Sequence, residues 1–320
     1  MTNPLANVRI QGRDADVDSF AACIAAAIEY WGRGFDYIFV AGLSGSVFSP
    51  TLNENESCTA WWTEFGNDSR IKFIGNALGF TSKTSPDYKG DRSAGEVEDF
   101  WNLARDSALK GKIVVIGTWP CWSIVTDWPD DLFAPGITSL PAVEGIIKPD
   151  ASNRVYILTE GTATMTRNHA LREALKFGAD VAEGKFSLPG FSFGGKLYDA
   201  MGKHLADEHY CPDCLERSYN CALRTLARIH GVNNTAVEFM EHAGMFLGRQ
   251  VPQPAVAAVA RGYREIADLA SKYLDTNSFK QNWPDPGFRA ELISDINRMS
   301  EAHFRTSRLL RNLIENILEN

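Results

Sequence analysis

The sequence predicts an α+β domain over residues 1–160, followed by an all-α helical domain over residues 161–320. Strand-like runs rich in β-branched and aromatic residues cluster between residues 113 and 158, after a leading helical part. From residue 164 onward, apolar residues recur almost throughout at helical spacing. A chain of 320 residues with 44% hydrophobic and 22% charged residues has the composition of a globular protein.

The first predicted helix covers residues 18–31, reads DSFAACIAAAIEYW, and is followed by Gly32 as a stop signal. Asp18 or Ser19 is suited to cap its N-terminus, because a short oxygen-bearing side chain can accept a hydrogen bond from an unpaired backbone N–H. The next segment, FDYIFVAG, is predicted to be a short strand or turn ending at Gly42. Further elements of this domain are helices near 68–77 and 96–111, a polar connector over 81–95, and strands at 113–117, 122–128 and 143–158.

Six helices are predicted in the second domain, separated by segments rich in proline and glycine. They cover residues 167–183, 193–208, 213–230, 233–247, 254–275 and 287–318. His303 falls on the apolar stripe of the last helix, which favours a core histidine with satisfied hydrogen bonds over a catalytic one.

The net charge is −8, and the whole acidic excess falls within residues 1–160. This distribution argues against a nucleic-acid partner, which requires a basic surface, and is compatible with a cationic or amine-bearing substrate. Neither a signal peptide nor a membrane-spanning run is recognised. Six irregularly spaced cysteines do not suggest a disulfide framework, so we expect a reduced, cytoplasmic setting without membrane association.

Cys23 lies in the second turn of the first predicted helix. A thiolate near a helix N-terminus is stabilised by unpaired N–H groups, so Cys23 is a candidate nucleophile. The alternative is that Cys23 is a small buried hydrophobic residue, which is the usual role of an unmodified cysteine.

Two further segments are candidates for a pocket near Cys23. In GLSGSVF, Ser44 and Gly45 would let the backbone approach a ligand, or would simply form a tight turn. Trp61 and Trp62 would wall a ligand pocket, or would belong to the core.

In their order and spacing, AACIAAAIEYWG, VAGLSGSVFSP and PCWSIVTDW resemble the papain-fold group that includes C39-like peptidases and the N-terminal domain of butirosin biosynthesis protein H. The resemblance covers roughly the first half of the chain and implies a cysteine nucleophile at Cys23. It places the family's histidine near Cys121 or Trp122, and an orienting acid at Asp127. Residues 1–168 contain no histidine, and His169 is therefore the first that could complete a displaced pair.

The segment HLADEHYCPDCLERSYNC contains a Cys-x-x-Cys pair preceded by histidines. His209, Cys211 and Cys214 could together bind zinc, since thiolates and imidazoles are its usual ligands. A redox pair and plain structural thiols are the alternatives, and apart from zinc we expect no cofactor.

Two classes of function follow from these patterns. The first is a cysteine-dependent acyltransferase or amide hydrolase, in which Cys23 forms a thioester with a small or carrier-bound acyl substrate. The second is a catalytically inactive papain-like domain that binds a ligand or a partner.

Overall fold

The computed structural model describes residues 18–53, 58–59, 68–84, 94–118, 121–128, 136–139, 155–185, 191–206 and 212–318. The chain divides into two compact units. Unit 1 comprises residues 1–40 and 61–166, and unit 2 comprises residues 41–60 and 167–320. Residues 41–60, which were expected to belong to the first domain, group with the helical half of the chain.

In chain order, the elements are α1 (Ser19–Tyr30), α2 (Tyr37–Ser44), β1 (Leu52–Asn53), β2 (Cys58–Thr59), α3 (Asp68–Leu78), β3 (Phe80–Thr84), α4 (Ala94–Leu109), β4 (Ile113–Thr118), β5 (Cys121–Asp127), β6 (Gly136–Ser139), β7 (Val155–Glu160), α5 (Arg167–Ala182), β8 (Phe191–Ser192), α6 (Gly195–Ala206), α7 (Pro212–Leu247), α8 (Gln253–Ser271), α9 (Thr276–Asn282) and α10 (Pro286–Leu318). The predicted α+β class is confirmed, because an antiparallel sheet is combined with helices.

Unit 1 contains a five-stranded antiparallel sheet in the order β3-β7-β4-β5-β6. The predicted strands at 113–117 and 122–128 are confirmed as β4 and β5, and the end of the strand region predicted over 143–158 is confirmed as β7. The polar connector predicted over 81–95 was wrong at its start, because residues 81–84 belong to strand β3. β6 was not predicted, and residues 143–149 lie outside the described part of the chain.

The two faces of this sheet are covered by different helices. Apolar residues of α4 pack on one face in a cluster made of Trp101, Ala104, Ala108, Val114, Ile116, Val125, Trp128, Val155 and Ile157. Because successive side chains of a strand point to opposite faces, Tyr156 lies on the other face, where α1 packs. There, the ring centroid of Trp122 lies 5.1 Å from that of Phe20 and 5.5 Å from that of Tyr156.

Unit 2 is mainly helical, with α7 packed on α8, and α10 packed on α8, α6 and α5. The strands β2, β1 and β8 form a small antiparallel sheet in that order. The predicted helices that correspond to α5, α6, α8 and α10 are confirmed to within four residues at each end.

Three helices differ from the predictions. FDYIFVAG forms helix α2 instead of the predicted short strand or turn, and the Asp36 carboxylate caps this helix by accepting the N–H of Phe39 at 2.9 Å. The two helices predicted over 213–247 are one helix, α7, in which the buried Asn233 side chain donates to the Ile229 carbonyl at 2.7 Å and does not start a new helix. α9 was missed, although Asp275 caps it by accepting from the N–H of Ser278.

We expect Gly178→Ala in α5 to destabilise unit 2 by about 1–3 kcal/mol, the usual cost of overpacking a core. A Cβ at this position would overlap the buried ring of Phe48. Gly202 in α6 is a matched control, since a Cβ there meets nothing within 4 Å, and Gly202→Ala should be neutral or stabilising. Urea denaturation of both variants measures the difference, and equal stability would contradict the packing described here.

Candidate functional site

Cys23 lies inside α1 and has no exposed surface. The N-terminus of α1 is capped by Asp18, whose carboxylate accepts from the N–H groups of Phe20 and Ala21 at 3.0 and 3.3 Å. Because Asp18 occupies these donors, they are not available to stabilise a thiolate. Since a nucleophilic thiol must also be reachable by its substrate, this environment is that of a structural cysteine.

The strand that the resemblance placed beside Cys23 does pack against α1. The backbone N–H of Trp122 donates to the Ser19 hydroxyl at 3.0 Å, and the Trp122 side chain is 3% exposed. Trp122 therefore fixes α1 to the sheet as part of the core. Cys121 and Asp127 form the two ends of β5, and their side chains are outside the described structure.

Ser44 and Gly45 have packing roles within unit 2. The buried Ser44 hydroxyl donates to the Ala41 carbonyl at 2.8 Å. Gly45 has a φ of +88°, and a Cβ at this residue would come within 2.6 Å of the Phe177 ring. The small side chains thus permit a tight turn and a close approach to α5, which was the structural alternative given above.

The other sequence candidates contribute less. His169 lies on the exposed surface of the first turn of α5 in unit 2, whereas Cys23 belongs to unit 1. Trp61, Trp62, His209 and Cys211 lie outside the described residues, as does the side chain of Cys214 in α7. Within the described part of the chain, no group of three or more His, Cys, Asp or Glu residues could hold a metal ion. The zinc site therefore stays a prediction.

Cys221 in α7 is disulfide-bonded, contrary to the expectation that the cysteines are reduced.

We expect mass-spectrometric peptide mapping under non-reducing conditions to find Cys221 in a disulfide-linked peptide and Cys23 as a thiol. Reduction should lower the free energy of unfolding by about 2–4 kcal/mol, because the crosslink restricts the unfolded chain. Recovery of Cys221 as an alkylated thiol from protein that was never reduced would contradict the structure.

Unit 2 carries a cleft of about 880 Å³ that sequence reasoning did not find. It is lined by the end of α5, the start of α6 and the middle of α10, which bring together residues more than 100 positions apart in the chain. Its volume is within the range of small-molecule sites, and its lining is a mixture of charged, polar and aromatic side chains.

The buried His303 lies among the residues that line this cleft. Its Nε2 lies 2.9 Å from the Ala182 carbonyl oxygen, which can only accept, so Nε2 carries the hydrogen. Nδ1 has no hydrogen-bond partner among the described residues. Burial lowers the pKa of His303, so the ring is neutral at pH 7. The prediction that His303 is a buried core histidine is confirmed, and so is the hydrogen bond expected for Nε2. The expectation that both ring nitrogens have partners is not met at Nδ1.

A cluster of charges holds α5 to α10 beside the cleft. Arg311 donates to the carboxylates of Glu183, at 2.7 and 3.0 Å, and of Asp180. Lys185 forms an ion pair with Glu183 at 2.6 Å. The hydrogen bond from Arg311 is the main cause that lowers the pKa of Glu183, and the same bond raises the pKa of Arg311. The cleft edge formed by α5 and α10 is therefore anchored.

No protein-family model matches the chain, and no curated protein matches it either. Among the described helices, none combines the length and the apolar character needed to cross a bilayer.

Proposed function

We propose that this chain is a small-molecule-binding protein whose cleft in unit 2 takes a polar ligand, and that its cysteine helix is structural. A single contrast carries the proposal: Cys23 has no exposed surface, whereas the cleft is an open volume of about 880 Å³ whose lining includes His303, with an Nδ1 that has no hydrogen-bond partner among the described residues. The proposal includes the papain-like resemblance, and under it the chain is an inactive relative of the papain-like cysteine enzymes.

The aromatic and charged lining of the cleft supports binding of a ligand over plain hydration of a surface groove. The Phe304 ring is 56% exposed at the cleft, and the Arg308 guanidinium lies 4.2 Å from its centroid. An exposed aromatic ring gains free energy when a ligand covers it, and a stacked guanidinium is held in a fixed position for an acceptor.

A ligand screen that compares the wild type with the variant Ser300→Trp tests this proposal. Ser300 lines the cleft, and a tryptophan there would fill part of it. We expect thermal-shift screening of amino acids, sugars, nucleosides, organic acids and polyamines to find a ligand that stabilises the wild type but not this variant. Ser271→Trp, at an exposed position of α8 outside the cleft, should retain binding. Absence of any stabilising compound, or binding that survives in Ser300→Trp, would contradict the proposal.

The alternative proposal is thiol-dependent acyl transfer or hydrolysis through Cys23, with His169 as a displaced base. Its support is that α1 packs against β4 and β5, as a papain-like arrangement requires. Under this alternative, p-nitrophenyl acetate would acetylate Cys23 and release one equivalent of nitrophenolate in a burst. We expect no burst and no difference between the wild type and Cys23→Ser.

A further inference from the structure

The unit 2 cleft contains charges of both signs that do not neutralise one another. Lys196 and Asp199 lie on α6, and Glu301 and Arg308 lie on α10. In the described structure, none of these four side chains forms an ion pair, although other charged residues around them do. The cleft therefore offers two carboxylates and two cationic side chains for interactions with a bound molecule.

The remaining charges at the cleft are already engaged. Glu183 is shared between Lys185 and Arg311, as described above, and Arg305, just outside the cleft lining, binds Glu265 at 2.8 Å. All four side chains are exposed, so a ligand that presented only a negative or only a positive group would use one pair of charges and leave the other pair to water. A ligand that carries both groups would satisfy both pairs.

The apolar part of the lining constrains the ligand further. The half-exposed Phe304 ring and the buried Phe193 side chain border the cleft, and both offer contact to an apolar group. The cleft volume of about 880 Å³ is also ample for one amino acid or a short peptide.

We infer that the ligand of this cleft is a small zwitterion with an apolar side chain, of the class formed by apolar α-amino acids and short peptides. Its ammonium group faces Glu301 and Asp199, its carboxylate faces Arg308 and Lys196, and its side chain contacts Phe304. This inference rests on the proposed binding function and specifies the chemistry of the same cleft.

Isothermal titration calorimetry with three matched probes tests the inference. L-phenylalanine carries both charges, N-acetyl-L-phenylalanine carries only the carboxylate, and L-phenylalanine methyl ester carries only the ammonium group. We expect the zwitterion to bind at least about tenfold more tightly than either derivative, since loss of a charged hydrogen bond costs about 1.5–3 kcal/mol.

Two variants assign the ends of the ligand. Glu301→Gln should remove the preference over the N-acetyl derivative, and Arg308→Gln should remove the preference over the methyl ester. Arg261→Gln, at an exposed position of α8 outside this cleft, is the matched control and should change neither preference. Circular dichroism verifies that each variant is folded.

The outcomes separate this inference from the proposed function. If a derivative binds as tightly as L-phenylalanine, or if only a compound of another class binds in the cleft, the zwitterion inference is wrong and the binding function stands. If no compound of the screen binds at all, both are wrong. Tighter binding of the zwitterion that depends on both Glu301 and Arg308 supports both.

Discussion

Replacing Asp295 with alanine is expected to lower the free energy of unfolding by about 2–4 kcal/mol. Asp295 is 4% exposed and accepts hydrogen bonds from Lys272 Nζ and the Tyr273 hydroxyl at 2.9 Å and from Arg298 Nη1 at 2.7 Å. Burial disfavours its charge, but these three donors outweigh that effect and lower the pKa of Asp295. Without the carboxylate, the Tyr273 hydroxyl loses its acceptor in the junction between α8 and α10.

Asp268→Ala is the matched control, because Asp268 is exposed on α8 and its carboxylate has no ion pair in the described structure. Urea denaturation should place this control within about 0.5 kcal/mol of the wild type. If the two variants lost the same stability, the network around Asp295 would not be the source of the effect.

We expect the stability of the protein to fall as the pH drops below about 6.5, the ordinary pKa of histidine, because His303 is buried in the neutral form. The pKa of His303 is lowered by burial, so below pH 6.5 the unfolded chain takes up a proton that the folded chain does not. Each pH unit in this window then costs up to about 1.4 kcal/mol, until the folded pKa is reached.

The charged groups near His303 do not reverse this expectation. Glu301 and Asp199 face the cleft from α10 and α6, but the cations Lys196 and Arg308 line the same cleft. The variant His303→Gln keeps a donor for the Ala182 carbonyl and removes the titrating ring, so its stability should depend less steeply on pH just below 6.5. A slope that is identical in wild type and His303→Gln would contradict the assignment.

Local sequence signals predicted those elements whose cause is local. α1 combines a capping Asp18 with alanine-rich sequence, and β4 is a β-branched run that ends near a glycine. α2 was mistaken for a strand, because short aromatic and β-branched runs fit both structures, and the cap at Asp36 is the signal that could have identified it. The break predicted within α7 failed because Asn233 bonds back to its own helix.

The candidate cleft could not be derived from the sequence. Its walls come from α5, α6 and α10, and no periodicity indicates that Glu183, Asp199 and Glu301 lie around one volume. The thiol site was proposed because Cys23 lies near the N-terminus of a predicted helix and because the sequence resembles a family of cysteine enzymes. Neither observation indicates whether the Cys23 side chain is buried. Complete burial of Cys23 depends on packing around all sides of α1, which only the three-dimensional structure contains.

The reactivity of Cys23 in the native protein tests most directly the claim that the cysteine helix is structural. Iodoacetamide labelling at pH 7.5, followed by peptide mass spectrometry, compares the folded protein with the same protein in urea. The burial of Cys23 predicts native labelling on the order of a thousandfold slower than in urea, since opening of a core helix costs several kcal/mol. If Cys23 were labelled in the native protein as fast as in urea or faster, the claim that it is structural would be wrong, and the hypothesis of a catalytic nucleophile would be favoured.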